Sequence, residues 1–429
     1  MRRRLGNALS DTFRSLEHRN FRLFFAGQFV SQVGNWLTLV ALALLVLDRT
    51  GSGTDVGILT ACQFGPILLL GAWAGLIADR ADRRRLLLVV QVSAMAQSLA
   101  LAGLAFLPAA PIGWFYVVAA VGGATMAFDL PVRRSYVVDL VPDELLYNAV
   151  SMNTAVMMSA RVVGPALAGL LITTVGYGWC FLGDGLSYVA VLVGILLIDT
   201  SLVRPSPLAT RGKGQVRAGL RHLREVPALG LTLVMVAVVG TLSFSFSVVF
   251  PLLVTRSLGG SAAEFTFLYA MASVGSVVGA LLIARRASAG LGDVAVAGVA
   301  FGAALVLLAI VPDLGIALPV AVLVGGASTA FMSLSSSTVQ LLADPVMRGR
   351  VVALQGMVAM GSSAVGGPIL GAVCDAFGAR TGVAVGAVAA LGAGAWGISM
   401  ARRLALTAAD ADLPVAAAAD LVAAGPGVA

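Results

Sequence analysis

Charge, histidine and cysteine are scarce in this chain. Only 11% of its 429 residues are Asp, Glu, Lys or Arg, and it has two histidines and three cysteines. His18 and His222 lie in polar segments, so an enzyme with a nucleophile–base pair or a histidine metal site inside the apolar runs is not expected. Cys62, Cys180 and Cys374 fall in separate apolar segments without ligand spacing, which argues against both a disulfide framework and a metal centre. No Walker loop is present for direct coupling to ATP. Roughly ten-residue alternating strands are missing, which excludes a transmembrane β-barrel. Neither a re-entrant filter segment nor a ring of charge suggests a channel. Met1 to Arg22 is basic and polar, and the apolar run after it is too long for the core of a cleavable signal peptide. No cofactor is expected.

What is abundant is apolar sequence. The chain is 59% hydrophobic with a mean hydropathy of +0.96. A bilayer core about 30 Å thick needs about 20 helical residues at 1.5 Å each, and a helix satisfies its own backbone where no water can. Twelve runs meet that length: about Leu23–Leu47, Val56–Ala78, Leu86–Leu107, Trp114–Leu130, Ala149–Val175 and Trp179–Ile198, then Ala228–Val254, Phe265–Ala284, Leu291–Val311, Ile316–Leu342, Val351–Phe377 and Thr381–Ala401. A kink is expected at Gly65-Pro66, and Pro131 is expected to end helix 4 before a polar loop, Arg133–Asn148. The organisation is therefore 1–22 N-terminal segment, 23–198 first six-helix bundle, 199–226 central loop, 227–403 second bundle and 404–429 Ala-rich tail, expected to be disordered. In the central loop Val216, Leu220 and Leu223 share one helical face and Arg217, Arg221 and Arg224 another, which predicts a basic amphipathic helix on the membrane surface.

The net charge of +7 is a matter of topology. With twelve spans, 25 of the 28 Lys and Arg residues fall on the side of the termini, and only Arg49, Arg256 and Arg380 fall opposite. The positive-inside rule then places both termini in the cytoplasm and removes nucleic acid as a partner. The halves also repeat. Pro142 and Pro345 precede helices 5 and 11, and Gly164-Pro165 and Gly367-Pro368 lie inside them, both at an offset of 203 residues. Gly71 and Gly75 match Gly275 and Gly279 at an offset of 204. Duplicated bundles in one orientation, related by a pseudo-twofold axis along the membrane normal, are a carrier architecture.

The stretch Gly75-x-Ile77-Ala78-Asp79-Arg80-x-x-Arg83-Arg84 resembles the loop 2–3 signature of the major facilitator superfamily, with Asp82 standing where that signature has a second glycine. Within it, Phe128-Asp129-x-Pro131-x-Arg133, Leu140-Val-Pro142, Asn148-Ala149 and Gly164-Pro165 resemble the drug and siderophore exporter branch, which includes enterobactin and macrolide efflux carriers. The resemblance implies the major facilitator fold, all-α with twelve spans, and an inner gate in which Asp79 sits at the positive N-terminus of helix 11. Arg83 would extend that gate to Asp129, unless Asp129 pairs with Arg133 one turn on. Loop 8–9, Ala284-Arg285-Arg286, has no acid matching Asp79. Ala160-x-x-x-Gly164-Pro165-x-x-Ala168-Gly169 partly matches the antiporter signature, which implies proton exchange, although small residues also serve simple helix packing.

For the proton the candidates are Asp129 and Asp184. Glu264 is read as half of a capping box with Ser261. Arg161 is either a counter-ion or a snorkelling interfacial arginine. Gln28, Gln32 and Asn35 share a helical face that should avoid lipid. Helices 1, 4, 7 and 10 line the cavity in the superfamily, which adds Trp36, Thr125, Asp129, Thr241, Phe244, Ser245, Phe331, Ser335 and Thr338; the hydroxyls among them line the cavity or bond their own helix. With several Met nearby, that wall suits a bulky amphipathic molecule. The expected protein is a monomeric carrier in the bacterial cytoplasmic membrane, in contact with lipid. It would export a drug, antibiotic or siderophore-like metabolite by alternating access with proton antiport; a lipid flippase or an importer is the alternative.

Overall fold

A computed structural model describes residues 14–78, 80–203, 221–284, 286, 288–345 and 347–410. Among these, regular structure is entirely helical, and twelve helices are long and apolar enough to cross a membrane. They are α1 Arg19–Thr50, α2 Gly53–Ala78, α3 Arg83–Phe106, α4 Ile112–Asp139, α5 Leu146–Thr174 and α6 Tyr177–Leu196. The second six are α7, in two pieces Pro227–Ser243 (α7a) and Phe246–Leu252 (α7b), α8 Ala262–Ile283, α9 Leu291–Ile310, α10 Leu314–Leu342, α11 Arg348–Phe377 and α12 Ala379–Asp410. Asp79, most of the central basic segment and most of the C-terminal tail lie outside the described residues. Of the central segment, residues 221–225 are helical; Leu223 is buried with Leu229, Val339 and Val351, while Arg221 and Arg224 are exposed.

Two sequence expectations need correcting. Pro131 does not end α4, which runs on to Asp139, so the expected loop from Arg133 shrinks to residues 140–145. Proline costs a helix one hydrogen bond and a steric clash. Here Val132, Tyr136 and Val137 beyond it are buried in one cluster with Phe21, Phe24, Leu87 and Val191, and that packing outweighs the local breaker. The second correction is in span 7, expected to be continuous, which breaks at Phe244–Ser245. Phe244 and Phe246 both pack on Phe301, at ring-centroid distances of 5.2 and 6.1 Å. Residues i and i+2 of an α-helix do not face the same way, so both contacts need the break.

The chain divides into two compact units, Met1–Leu45 with Leu69–Arg211, and Val46–Leu68 with Gly212–Ala429. In unit 1, α3 packs on α4 and α6; in unit 2, α9 packs on α12 and α8 on α10. The pairs α3–α6 and α9–α12 are those a six-helix repeat puts in register. The repeated Gly-Pro also serves matching ends. A Cβ on Gly164 would collide with Trp36 and the Val33 carbonyl of α1, and one on Gly367 with Thr60 and the Gly57 carbonyl of α2. Each glycine lets two helix backbones approach closely.

Candidate functional site

The Arg-rich loop after α2 is built into unit 1 by three interactions. Asp82 is the N-cap of α3: its carboxylate accepts from the Arg85 backbone N–H at 3.0 Å, the oxygen that an orphan helix donor requires. That explains an acid where the superfamily signature has glycine. Arg84 donates to the Ile195 and Leu196 carbonyls at 3.2 and 3.3 Å, capping the negative C-terminus of α6. Arg83 does not reach Asp129. Its Nη1 bonds both oxygens of Asp139, at 2.7 and 2.8 Å, with side-chain exposures of 13% and 4%. Asp139 escaped sequence reasoning because α4 was ended at Pro131; a helix carried through the proline brings it back to the core face. Arg80 is exposed, and a side chain on Gly75 would meet only open space.

Deeper in unit 1, Asp129 pairs with Arg133 at 2.6 Å, the alternative left open above, and accepts from Gln91 at 2.7 Å. Arg133 also donates to Gln28 Oε1 at 3.2 Å, and the Gln32 carboxamide turns its oxygen to the same guanidinium. Gln28 and Gln32 are thus ligands of a buried arginine. They satisfy the donors that a guanidinium taken out of water must place.

Asp184 sits apart from this network. It is 1% exposed, and its Oδ2 accepts from Thr38 of α1 and Ser98 of α3, both at 2.7 Å. Its Oδ1 is buried with no hydrogen-bond partner, against Gly34, where a Cβ would lie 2.5 Å from it. No basic side chain pairs with it among the described residues. Thr38 and Ser98 were not singled out in the sequence.

In unit 2 the polar contacts gather at helix ends. Asp375, near the C-terminus of α11, accepts from the backbone N–H groups of Gly53 and Thr54 at 2.8 Å each and from the hydroxyls of Thr54 and Ser52 at 2.8 and 3.1 Å. Arg256 pairs with the same carboxylate at 2.8 Å and donates to the Gly51 carbonyl. An acid at its own helix's negative end is unfavourable, but here it lies on the positive N-terminus of α2. This clasp joins α2, α7 and α11 at the end opposite the Arg-rich loops, and sequence reasoning passed over it. Glu264 and Ser261 form the expected capping box.

The remaining cavity candidates divide. Asn35 and Trp36 are half-buried. Thr125, Thr241 and Ser335 donate to carbonyls of their own helices, at Val121, Ala237 and Phe331. Phe331, Ser335 and Thr338 are fully buried in unit 2. At the α7 break, Ser243, Ser245, Phe246 and Phe250 border an apolar cavity of about 10 Å³, room for about one water and far below the ~300 Å³ at which small-molecule pockets begin. No group of three or more potential metal ligands occurs among the described residues.

Twelve spans and duplicated helix pairing match the architecture of the major facilitator superfamily, to which the family match assigns the chain. It is not an enzyme. The chain belongs to the family described as transmembrane secretion effectors, matched over residues 10–423. It is 27% identical over 272 residues to the staphyloferrin A transporter of Staphylococcus aureus, covering 62% of this chain and 66% of that one. It is 26% identical over 275 residues to the enterobactin exporter of Shigella boydii, covering 63% and 64%. To the multidrug efflux pump Tap of Mycolicibacterium fortuitum it is 26% identical over 362 residues, covering 80% and 87%. The chain thus spans just under two thirds of the first two relatives. Among solved structures, a POT family transporter superposes with a TM-score of 0.73 at 12% identity, covering 90% of this chain and 96% of that one. A bacterial homolog of the lysosomal transporter Spinster gives 0.66 at 17%, covering 90% and 97%.

Proposed function

We propose that this carrier exports a small amphipathic molecule, a drug, antibiotic or siderophore-like metabolite, across the bacterial cytoplasmic membrane by alternating access, driven by protons moving inward. The reading takes both termini as cytoplasmic and the carrier as a monomer. Its substrate class is supported by relatives named for siderophore export and multidrug efflux. The observation that carries the coupling is Asp184: a carboxyl only 1% exposed, held on one oxygen by the hydroxyls of Thr38 and Ser98, with its other oxygen unpartnered. Asp129 is the weaker of the two proton candidates, because it is already paired with Arg133 and accepts from Gln91. Asp79, with Arg80, Arg83 and Arg84, serves as the gate at the cytoplasmic end. Import or lipid flipping on the same fold is the second reading.

One experiment separates these readings: a panel of compounds is followed in cells with and without the protein. Lower accumulation of an amphipathic compound supports export, and higher accumulation overturns it. In proteoliposomes, transport indifferent to collapse of an imposed pH gradient overturns proton coupling. Asp79→Asn is expected to abolish export with the protein still present in the membrane; near-normal export would remove the gate.

A further inference from the structure

Arg161 has no place in the networks above. It lies 15 residues from the start of α5 and 13 from its end, so about 20 Å of helix separates it from either terminus. An arginine that deep cannot reach the interface by snorkelling, and a charge held there is costly. The counter-ion expected from sequence is also missing. Among the described residues no carboxylate pairs with Arg161, and its Nε is buried without a partner. What it has is an aromatic plate: the guanidinium carbon lies 5.5 Å from the centre of the Trp36 ring. That cation–π contact recovers part of the desolvation cost and leaves the guanidinium fork free to donate. Close approach of α5 to α1 at Gly164 sets the pair together. Arg161 is only partly buried, as are Asn35 beside Trp36 and Asn153 and Met157, which lie on the Arg161 face of α5 at i−8 and i−4.

We infer that Arg161 and Trp36 form the binding site for an anionic group on the transported molecule, a carboxylate or acidic phenolate attached to an aromatic or aliphatic body. This rests on the transport reading above and narrows its substrate class. The guanidinium offers a planar pair of N–H donors to the anion, Trp36 offers a face to the adjoining ring, and Met157 gives adaptable apolar contact. A neutral or cationic molecule of the same shape would leave the arginine unpaired and bind worse.

The test is equilibrium dialysis of the purified full-length protein in detergent micelles against 1-naphthoate and its uncharged amide, 1-naphthamide. The wild-type protein is expected to bind naphthoate at least about tenfold more tightly than naphthamide, the scale of a charged hydrogen-bonded pair. Arg161→Gln should bind both alike. If the Gln variant elutes as aggregate, Arg161→Met, an apolar chain of similar length that lipid tolerates, carries the same comparison. Equal wild-type binding of the two probes, or a preference that survives loss of the arginine, would overturn the site. Dialysis needs no transport, so naphthoate bound through Arg161 by a carrier that proves to be an importer supports the site while removing only the export reading.

Discussion

The two units place their charges in opposite ways. Unit 1 buries them: Arg133, Asp139 and Asp184 are the buried charged residues among those described, and Asp129 and Arg83 are nearly enclosed beside them. Unit 2 buries hydroxyls and amides instead, such as Thr232, Ser243, Ser276, Ser328 and Gln355. Its acids stand at helix ends, with Glu264, Asp293 and Asp313 capping and Asp375 in the clasp. Buried charge is expensive, so a bundle that retains it does so for ion pairing, proton binding or recognition of a charged ligand. Duplicated halves have therefore diverged in chemistry more than in packing.

The largest effect should come from Asp184. Asp184→Asn keeps a carbonyl oxygen for Thr38 and Ser98 and loses only the titratable group, so the fold should survive. In proteoliposomes the variant should lose substrate movement driven by a pH gradient while retaining exchange of labelled for unlabelled substrate at equal pH. A variant still driven by the gradient would break the assignment of proton chemistry to Asp184.

The Arg83–Asp139 pair tests whether buried charge in unit 1 also holds the structure. Truncating Asp139 leaves the Arg83 guanidinium, 13% exposed, without its carboxylate, at a cost of roughly 3–5 kcal/mol. Arg83→Ala or Asp139→Ala should lower the thermal midpoint of the purified protein markedly, and the double variant should be no worse than either single one. Purely additive losses would mean that the two side chains do not act together.

Much of this fold is legible in the sequence because the bilayer forces it to be. Twelve runs follow from a solvent that forbids unpaired backbone, and the offset of 203 residues between Gly164-Pro165 and Gly367-Pro368 follows from duplication. The site was less legible for a physical reason. Long-range partners decide it, and local signals point elsewhere. Pro131 says stop, yet packing around Tyr136 carries α4 onward to Asp139. Gln28 and Gln32 read as a cavity stripe because spacing shows a shared face and hides what occupies it; the occupant is Arg133. Asp375 was passed over in the sequence because its donors lie more than 300 residues away, at Ser52, Gly53 and Thr54.

Asp375 sharpens the comparison from the other side, since the same change should act differently there. Asp375→Asn replaces a carboxylate oxygen with an amide N–H₂ beside two backbone N–H groups and Arg256, none of which can accept from it, and leaves only the Ser52 and Thr54 hydroxyls as acceptors. Solvent reaches both members of the Arg256 pair, at 35% and 28% exposure, so screening reduces the loss to about 2 kcal/mol. The expected readout is a lower thermal midpoint together with faster labelling of a cysteine placed at Thr54. Asp→Asn would then destabilise in unit 2 and uncouple in unit 1. If Asp375→Asn instead left the midpoint unchanged, the clasp would not contribute to holding unit 2 together.

The smallest effect is at Asp82, which is exposed and in unit 1 but acts in the way unit 2 uses its acids. As N-cap of α3 it satisfies the Arg85 N–H, and Asp82→Ala should cost about 1 kcal/mol, while Asp82→Asn or Asp82→Ser, which keep an acceptor oxygen, should cost only a few tenths. Thermal unfolding of the three variants separates a cap from an ion pair with Arg85, which is 3.4 Å away and exposed. A cap ranks Ala well below Asn and Ser. Equal losses in all three would assign the residue to charge, and with it would go the explanation of why an acid can stand where the superfamily signature has glycine.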